Sequence, residues 1–240
     1  MTDGGRGDDK EEEAPRHRLH TIPLDFLSSG NRGTTVARVS THGDGSCFFH
    51  SLVLAFNACD VRSFAPAKRR ELGIEFRRLL LQEKKWEAYV ESLDDVYQND
   101  APSFDDVSSP RTYAGEYIYN FISEKYCLNI LILSHDGDNN DNFLVERIAD
   151  ENAPTVVLIH FVSLEHFEPV VLISEERRRP SRKLVRGLQR TLRLMGCTSK
   201  KNLSQLVAHG LGDDNMVGGL FLLTDPLVVY VRERFSRSSS

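Results

Sequence analysis

The stretch "HGDGSCFFHS", residues 42–51, places a cysteine directly after a glycine-rich acidic turn and directly before an apolar run. Glycine tolerates the positive backbone φ angles of tight turns, so we expect a turn through Gly43 and Gly45. The apolar run from Cys47 to Phe56 follows that turn, and its length favours a buried helix over a strand. Cys47 is therefore predicted at the first turn of a helix.

The composition is that of a globular protein and indicates no particular partner. The chain has 240 residues, of which 40% are hydrophobic and 27% charged, and its formal net charge is -5. This charge gives no general reason to expect nucleic acid or an anionic membrane as a partner. The longest apolar stretch, residues 216–231, is interrupted by Asp225 and Pro226 and is shorter than the roughly 20 residues of a spanning helix. We expect no membrane span.

The cysteines and the N-terminal segment predict an intracellular protein of the cytoplasm. Cys47, Cys59, Cys127 and Cys197 are widely spaced and form no C-x-x-C pair. A disulfide framework would be denser, so we expect reduced thiols. Residues 1–13 are polar and acidic, unlike a secretory signal.

Three regions follow from the changes in pattern along the chain. Residues 1–33 are predicted to be a disordered or extended N-terminal segment, because their first half is rich in charge and glycine. Residues 34–174 have helical periodicity in the middle and strand-like runs at both ends. They predict an α+β domain, in which helices pack on a central, mostly mixed sheet. Residues 175–240 are predicted to be a basic helical C-terminal extension.

The elements of the central domain are read from apolar periodicity. Strands are predicted at residues 34–40, 128–133, 142–148, 154–162 and 166–173, helices at 47–56 and 112–127, one or two helices within 66–97, and a loop at 99–110.

The stretch 177–193 in the extension has eight basic residues and no acidic one. Leu184, Leu188 and Leu192 recur in it at helical spacing, which favours a solvated helix whose apolar stripe packs on the domain. Binding to nucleic acid, to an acidic partner or to an acidic membrane is the alternative interpretation. We favour the packed helix.

Cys47 has the local setting of a nucleophile. Free N–H groups and the helix dipole at a helix start stabilise a thiolate. The N–H groups from about Asp44 to Cys47 could also hold an oxyanion. An inert buried thiol is the alternative, because free cysteines are commonly buried.

A nucleophilic thiol needs a base, and the chain has eight histidines. His166 is the best candidate, because it opens a predicted strand after a short connection and so combines rigidity with access. Glu168 lies two residues further on the same face of that strand and could orient the imidazole. The alternative is a structural edge pair. A zinc site built from Cys47, His50 and His166 lacks paired ligands at finger spacing, so we expect no metal and no cofactor.

Three segments together carry a resemblance to a known family. "DGSCFFHSL" at 44–52 and "HFEPV" at 166–170 resemble the two catalytic motifs of the ovarian-tumour (OTU) family of cysteine proteases. Between them, "RTYAGEYIYNFISEKYCLNILIL" at 111–133 resembles the glycine–glutamate helix that leads into the central strand of that family. The resemblance covers roughly residues 34–174.

The resemblance implies a papain-related fold and a deubiquitinase, which hydrolyses isopeptide bonds at the C-terminus of ubiquitin or a ubiquitin-like modifier. It makes Cys47 the nucleophile and His166 the general base. Asp44 lies in the turn that shapes the oxyanion hole, and Glu168 takes the third position of the triad. The family more often has Asn or Asp there, so either Glu168 or Asp44 is predicted to orient the ring.

The implied partners are ubiquitin, ubiquitin-like proteins and their conjugates, in the host cytoplasm if the protein is viral. Gly45 and Ser46 are predicted to contact substrate through the turn. Asp94 and Asp95, in the acidic run 87–106, are predicted to face the basic tail of the modifier, with a solvated helix end as the alternative. A catalytically weak OTU-like ubiquitin-binding module or scaffold is the alternative function.

Overall fold

The computed structural model describes residues 21–24, 27, 34–61, 64–135, 142–161, 164–174, 181–197 and 217–235. Most of the predicted N-terminal segment 1–33 lies outside the described residues. Residues 198–216 of the predicted C-terminal extension also lie outside them. No helix of the described part of the chain is long and apolar enough to cross a membrane.

The described residues form helices and strands close to those predicted. The helices are α1 (Cys47–Val61), α2 (Pro66–Leu80), α3 (Glu83–Val90), α4 (Asp95–Asp100), α5 (Phe104–Ser108), α6 (Glu116–Tyr126), α7 (Arg182–Leu194) and α8 (Pro226–Phe235). The strands are β1 (Thr21–Pro23), β2 (Thr34–Val39), β3 (Asn129–His135), β4 (Asn142–Arg147), β5 (Thr155–Phe161), β6 (His166–Ser174) and β7 (Val217–Gly218). The prediction that Cys47 begins a helix is confirmed.

The strands form one seven-stranded sheet in the order β1-β2-β6-β5-β3-β4, with β7 paired to β6. Only the β3–β5 pair is parallel among these described strands. The predicted α+β class, with a mixed sheet flanked by helices, is confirmed. Strand β6 lies between β2 and β5, so it is held on both sides, and its first residue is His166.

Alternate residues of the central strands face two different hydrophobic layers. In β3, Ile130 and Ile132 pack in the layer that contains side chains of α1, α6 and α7. Leu131 and Leu133 point to the opposite face and pack in the layer that contains α8. This alternation is the period of two that a strand imposes. The sheet therefore has helices on both faces, and one long helix, α1, runs over the face that carries the candidate site.

Segments on both sides of the predicted domain pack against it. The apolar stripe of α7 is buried, as predicted, with Leu188 and Leu192 in the same layer as α1. Strand β1 pairs with β2, so residues 21–23 extend the sheet beyond the predicted start at 34. The division of the chain at 34 and 174 stays a prediction.

The predicted loop at 99–110 is wrong in part, because α5 lies within it. Ser103 caps this helix by accepting a hydrogen bond from the Asp106 N–H, and the Asp106 carboxylate accepts one from the Ser103 N–H. Serine and aspartate were read as loop formers, but the same residues at this spacing make a capping box.

Candidate active site

Cys47 is the first residue of α1 and is completely buried. Its N–H donates to the Asp44 carbonyl oxygen at 3.0 Å, which joins the acidic turn to the first turn of the helix. Its thiol donates to the Glu165 carbonyl oxygen, with 3.6 Å between Sγ and O. The residue before His166 therefore lies directly against the thiol.

One nitrogen of the His166 ring, Nε2, is engaged by two side chains. Nε2 is 3.2 Å from Thr41 Oγ1 and 3.5 Å from Glu168 Oε1. The Thr41 hydroxyl donates its own proton to the Phe167 carbonyl oxygen at 2.6 Å, so toward the ring it is an acceptor. This arrangement places the proton on Nε2 and leaves Nδ1, which is buried and has no hydrogen-bond partner among the described residues, available as a proton acceptor.

The structure brings the two residues of the predicted catalytic pair together. Interaction with the Cys47 thiol, followed by that with the Glu168 carboxylate, outweighs burial and raises the pKa of His166 to about 9. A neighbouring group that becomes an anion favours the protonated imidazole. The geometry is thus suited to an imidazolium–thiolate pair.

Glu168 is nearly fully buried and is shared between two cations. Its carboxylate accepts hydrogen bonds from Arg38 and from His166; burial raises its pKa, but these two partners together hold it below its ordinary value. Arg38 pairs with Val170 across the β2–β6 ladder, which puts it diagonal to Glu168. Its guanidinium also lies 4.8 Å from the centre of the Phe161 ring. Arg38 was not identified from the sequence, although a basic residue inside the apolar strand β2 was the available signal.

We expect substitutions of Glu168 and of Thr41 to have different effects on the pH dependence of turnover. The Glu168→Gln variant removes the charge that favours imidazolium, so the pKa of His166 should fall below about 9 and the alkaline limb of kcat/KM should move to lower pH. Losing a hydrogen bond between charged groups, about 1.5–3 kcal/mol, should lower kcat by roughly tenfold or more. Thr41→Val should lower kcat less and leave the limb in place, because threonine carries no charge.

The matched control is Glu165→Gln, which removes the adjacent, exposed carboxylate whose side chain makes no described contact with His166. Its pH–rate profile should match that of the unmodified protein. An alkaline limb that does not move in Glu168→Gln, or that moves equally in Glu165→Gln, would show that the Glu168 carboxylate does not act on the ring.

Asp44 organises the turn and lies away from the imidazole. Its carboxylate accepts hydrogen bonds from the Ser46 N–H at 2.9 Å, from His50 Nε2 at 3.0 Å and from Arg70 Nε at 3.0 Å. Burial raises its pKa, but His50 and these other donors together lower it. None of its described hydrogen bonds goes to His166. The prediction that Asp44 could orient the ring is therefore not supported by the contacts of the described residues.

The prediction that this turn offers several free N–H groups to an oxyanion is wrong for the arrangement seen. The Asp44 N–H donates to the His42 carbonyl, the Ser46 N–H to the Asp44 carboxylate, and the Cys47 N–H to the Asp44 carbonyl. The reason is that the aspartate that makes the turn also satisfies its donors. Of the four N–H groups from Asp44 to Cys47, only that of Gly45 makes none of the described hydrogen bonds.

Gly45 and Ser46, predicted to contact substrate, are both buried. A Cβ atom on Gly45 would come within 2.3 Å of the Arg111 backbone, so glycine is needed for this close approach of two chain segments. The Ser46 hydroxyl donates to the Pro110 carbonyl at 3.3 Å. Both residues therefore pack the turn against the segment 110–111.

Arg77 is a second residue of the site that sequence reasoning missed. It is 1% exposed, and its guanidinium donates to the Gly45 carbonyl at 2.8 Å and twice to the Val107 carbonyl, at 2.6 and 3.0 Å. It also lies 5.0 Å from the centre of the Phe49 ring. Burial lowers its pKa to about 10, against the opposing effect of Asp44 and Cys47. The signal was its position: with Gly73 and Leu80 it shares the buried face of α2.

Asp94 and Asp95 are exposed at the start of α4, and no described contact joins them to Cys47 or His166. Their predicted role in substrate binding stays a prediction. Within the described ranges, no group of three or more His, Cys, Asp or Glu side chains is arranged to hold a metal ion.

No family model matches the chain. No curated protein matches it either.

Solved structures do match. The OTU domain of OTUD1 is 13% identical, with 56% of this chain and 85% of that chain covered and a TM-score of 0.39. The Hazara virus OTU bound to ubiquitin is 17% identical, with 65% and 96% covered and a TM-score of 0.41. An ovarian tumour (OTU) domain in complex with ubiquitin is 14% identical, with 70% and 88% covered and a TM-score of 0.42. The solved structures to which this chain is similar are thus OTU domains, the family that its sequence motifs resemble.

Proposed function

We propose that this chain is a thiol-dependent deubiquitinase, which hydrolyses isopeptide bonds at the C-terminus of ubiquitin or a ubiquitin-like modifier. The observation that carries the proposal is the position of the Cys47 thiol at the start of α1, 3.6 Å from the carbonyl oxygen of Glu165, the residue directly before His166. The raised pKa of His166, caused first by the Cys47 thiol, supports it. The substrate class comes from the sequence motifs at 44–52 and 166–170, which resemble those of OTU proteases.

The reaction proceeds by nucleophilic catalysis. His166 takes the thiol proton on Nδ1, and the Cys47 thiolate attacks the carbonyl carbon of the modifier's terminal glycine. The tetrahedral intermediate collapses to a thioester, and the lysine amine of the conjugate leaves with the proton from His166. Water then attacks the thioester, His166 accepts its proton, and the thiol is regenerated.

The surroundings favour the charged pair at two points. The N-terminus of α1 presents a partial positive charge to the thiolate. The buried Glu168 carboxylate, held on its other side by Arg38, stabilises the imidazolium. Because Arg38 fixes one carboxylate oxygen, the longer glutamate side chain still presents the other oxygen to Nε2.

Substrate entry requires a change near the thiol. The Glu165 carbonyl oxygen occupies the space 3.6 Å from Sγ, and Cys47 has no exposed surface. Binding of the modifier's tail must displace this carbonyl from the thiol before the scissile carbonyl can approach.

A ubiquitin-binding module without activity is the second candidate. Two observations favour it: the complete burial of Cys47 and the use of most N–H groups of the acidic turn within the turn itself. The position of the Cys47 thiol against the residue before His166, and the effect of the thiol on the pKa of the ring, favour the enzyme over the module.

A panel of modifiers with a fluorogenic amide at the C-terminus tests the proposed function. We expect the unmodified protein to cleave the fluorogenic amide from ubiquitin or from at least one ubiquitin-like modifier. The same amide on an unrelated peptide should stay uncleaved. Binding without turnover of any of them, measured by calorimetry, would support the module instead.

In the same assay, an Asp94→Asn, Asp95→Asn double variant should raise KM at unchanged kcat if this exposed pair faces the basic tail; an unchanged KM removes that role.

A further inference from the structure

A cavity of about 360 Å³ lies between α7 and the loop 148–154, and none of its lining residues belongs to the candidate active site. Cys127 and Ala153 line it together with residues of α7. This volume is in the range of pockets that hold small molecules, about 300–1,000 Å³. The proposed hydrolysis makes no use of it.

The α7 wall of this cavity is basic. Lys183, Arg186 and Arg190 line it, and their spacing of three and four residues puts them on one face of the helix. Arg190 pairs with Asp150, with 2.9 Å between Nη1 and Oδ2. Neither Lys183 nor Arg186 pairs with an acidic residue in the part of the chain that the structure describes. Two cations without counter-charges at a concave surface favour an anion there.

The helix is fixed close to the opposite wall. A Cβ atom on Gly187 would come within 2.2 Å of the Asn152 carbonyl oxygen, so the α7 backbone lies directly against the loop. Next to Arg190, the Thr191 hydroxyl donates to the Cys127 carbonyl at 2.8 Å. The cations therefore project from a helix that is fastened at two points of the cavity.

The loop is equally well fixed. The fully buried Asn129 donates to the Asp150 carbonyl at 2.9 Å and accepts from the Ala149 N–H at 2.8 Å. The Asp150 carboxylate accepts from the Asn152 N–H at 2.8 Å. Because both walls are held by hydrogen bonds, a ligand would find the cavity formed before it binds, which reduces the entropy lost on binding.

We propose that this cavity binds a small anion that carries two or more phosphate groups. Its cations outnumber their described acidic partners by two, so one negative charge would not balance them. Arginine and lysine are the usual ligands of phosphate oxygens. Arg182 and Arg193 lie on α7 but outside the cavity. If the anion bound to a surface patch along the helix, substituting these two would weaken binding as much as substituting Lys183 and Arg186. A site in the cavity predicts a smaller effect.

Calorimetric titration of the full chain with inorganic tripolyphosphate tests the proposal, with sulfate at equal ionic strength as the reference. We expect saturable one-site binding that a Lys183→Gln, Arg186→Gln double variant weakens by about tenfold or more, since each charge-assisted hydrogen bond contributes about 1.5–3 kcal/mol. The matched variant Arg182→Gln, Arg193→Gln removes the same charge from the same helix and should bind within about twofold of the unmodified protein.

Three results would overturn the proposal: no saturable binding, binding that sulfate reproduces, or equal weakening in the two double variants. A parallel titration with a short single-stranded RNA separates the sources of phosphate. If RNA binds more tightly than tripolyphosphate and the two variants lose RNA affinity equally, the basic helix is a nucleic-acid surface and the cavity is not the site. The Arg186→Gln single variant repeats the test if the double variant unfolds at a lower temperature.

Discussion

The Cys47→Ala variant is expected to lose hydrolysis of the modifier's C-terminal amide completely, with kcat reduced by more than about 10⁴-fold. The thiol forms the covalent intermediate, and alanine offers no group that can replace it. Affinity for the modifier should stay within about twofold, because Cys47 is buried and the change removes only the sulfur. Steady-state kinetics with a fluorogenic amide and calorimetric binding to the variant provide the two measurements.

The control for this variant is Cys127→Ala. Cys127 is also a buried cysteine, but it directly follows α6 and makes no described contact with His166; burial raises the pKa of its thiol. This variant should keep the kcat of the unmodified protein. Turnover that persists in Cys47→Ala, or that disappears equally in Cys127→Ala, would contradict the assignment of Cys47 as the nucleophile.

The Arg77→Met variant is expected to lose both stability and turnover. Methionine has a similar length but no donors, so the Gly45 and Val107 carbonyls, which accept from the guanidinium, lose their buried partner. Such losses cost about 1–3 kcal/mol for each unsatisfied group, and we expect the free energy of unfolding to fall by roughly 3 kcal/mol in urea titrations. The turn before Cys47 is then held less firmly.

Turnover distinguishes a positioning role for Arg77 from a merely structural one. Measured under conditions where the variant is fully folded, kcat should still fall by roughly tenfold or more at nearly constant KM. The acid limb of the pH–rate profile should move to higher pH, because a cation that interacts with Cys47 is lost. Arg77→Lys keeps the charge and should return the acid limb to its original pH. It should recover only part of the stability, because a single ammonium group cannot donate to both carbonyls as the planar guanidinium does.

The neighbouring Arg78 gives the matched control, because it is exposed on the same helix. Arg78→Met should change the free energy of unfolding by less than about 0.5 kcal/mol and leave kcat unchanged. If folded Arg77→Met has the kcat and pH profile of the unmodified protein, Arg77 stabilises the fold without positioning the turn.

Local patterns were sufficient to predict most of the elements. The runs of branched apolar residues in β3 and β5 and the glycine turn before α1 place strand and helix close to where the structure has them. The candidate base, His166, could be selected because a strand start is visible in the sequence. Short helices such as α5 were missed, because serine and aspartate favour loops and helix caps alike.

Long-range contacts are what the sequence could not supply. Arg38 meets Glu168 only because β2 and β6 are neighbours in the sheet, although they are far apart in the chain. Arg77 reaches Gly45 only because α2 packs on α1. The use of the turn's N–H groups by Asp44 depends on side-chain orientation, which periodicity does not report. The supporting residues of the site were therefore harder to predict than the thiol and imidazole.

The most direct test of the central claim is covalent labelling by ubiquitin, or by the modifier that the panel selects, carrying a thiol-reactive group in place of its C-terminal carboxylate. The account predicts a single adduct on the unmodified protein, located at Cys47 by mass spectrometry, and no adduct on Cys47→Ala. No labelling by any modifier, or an adduct on Cys127 or Cys197 instead, would contradict it.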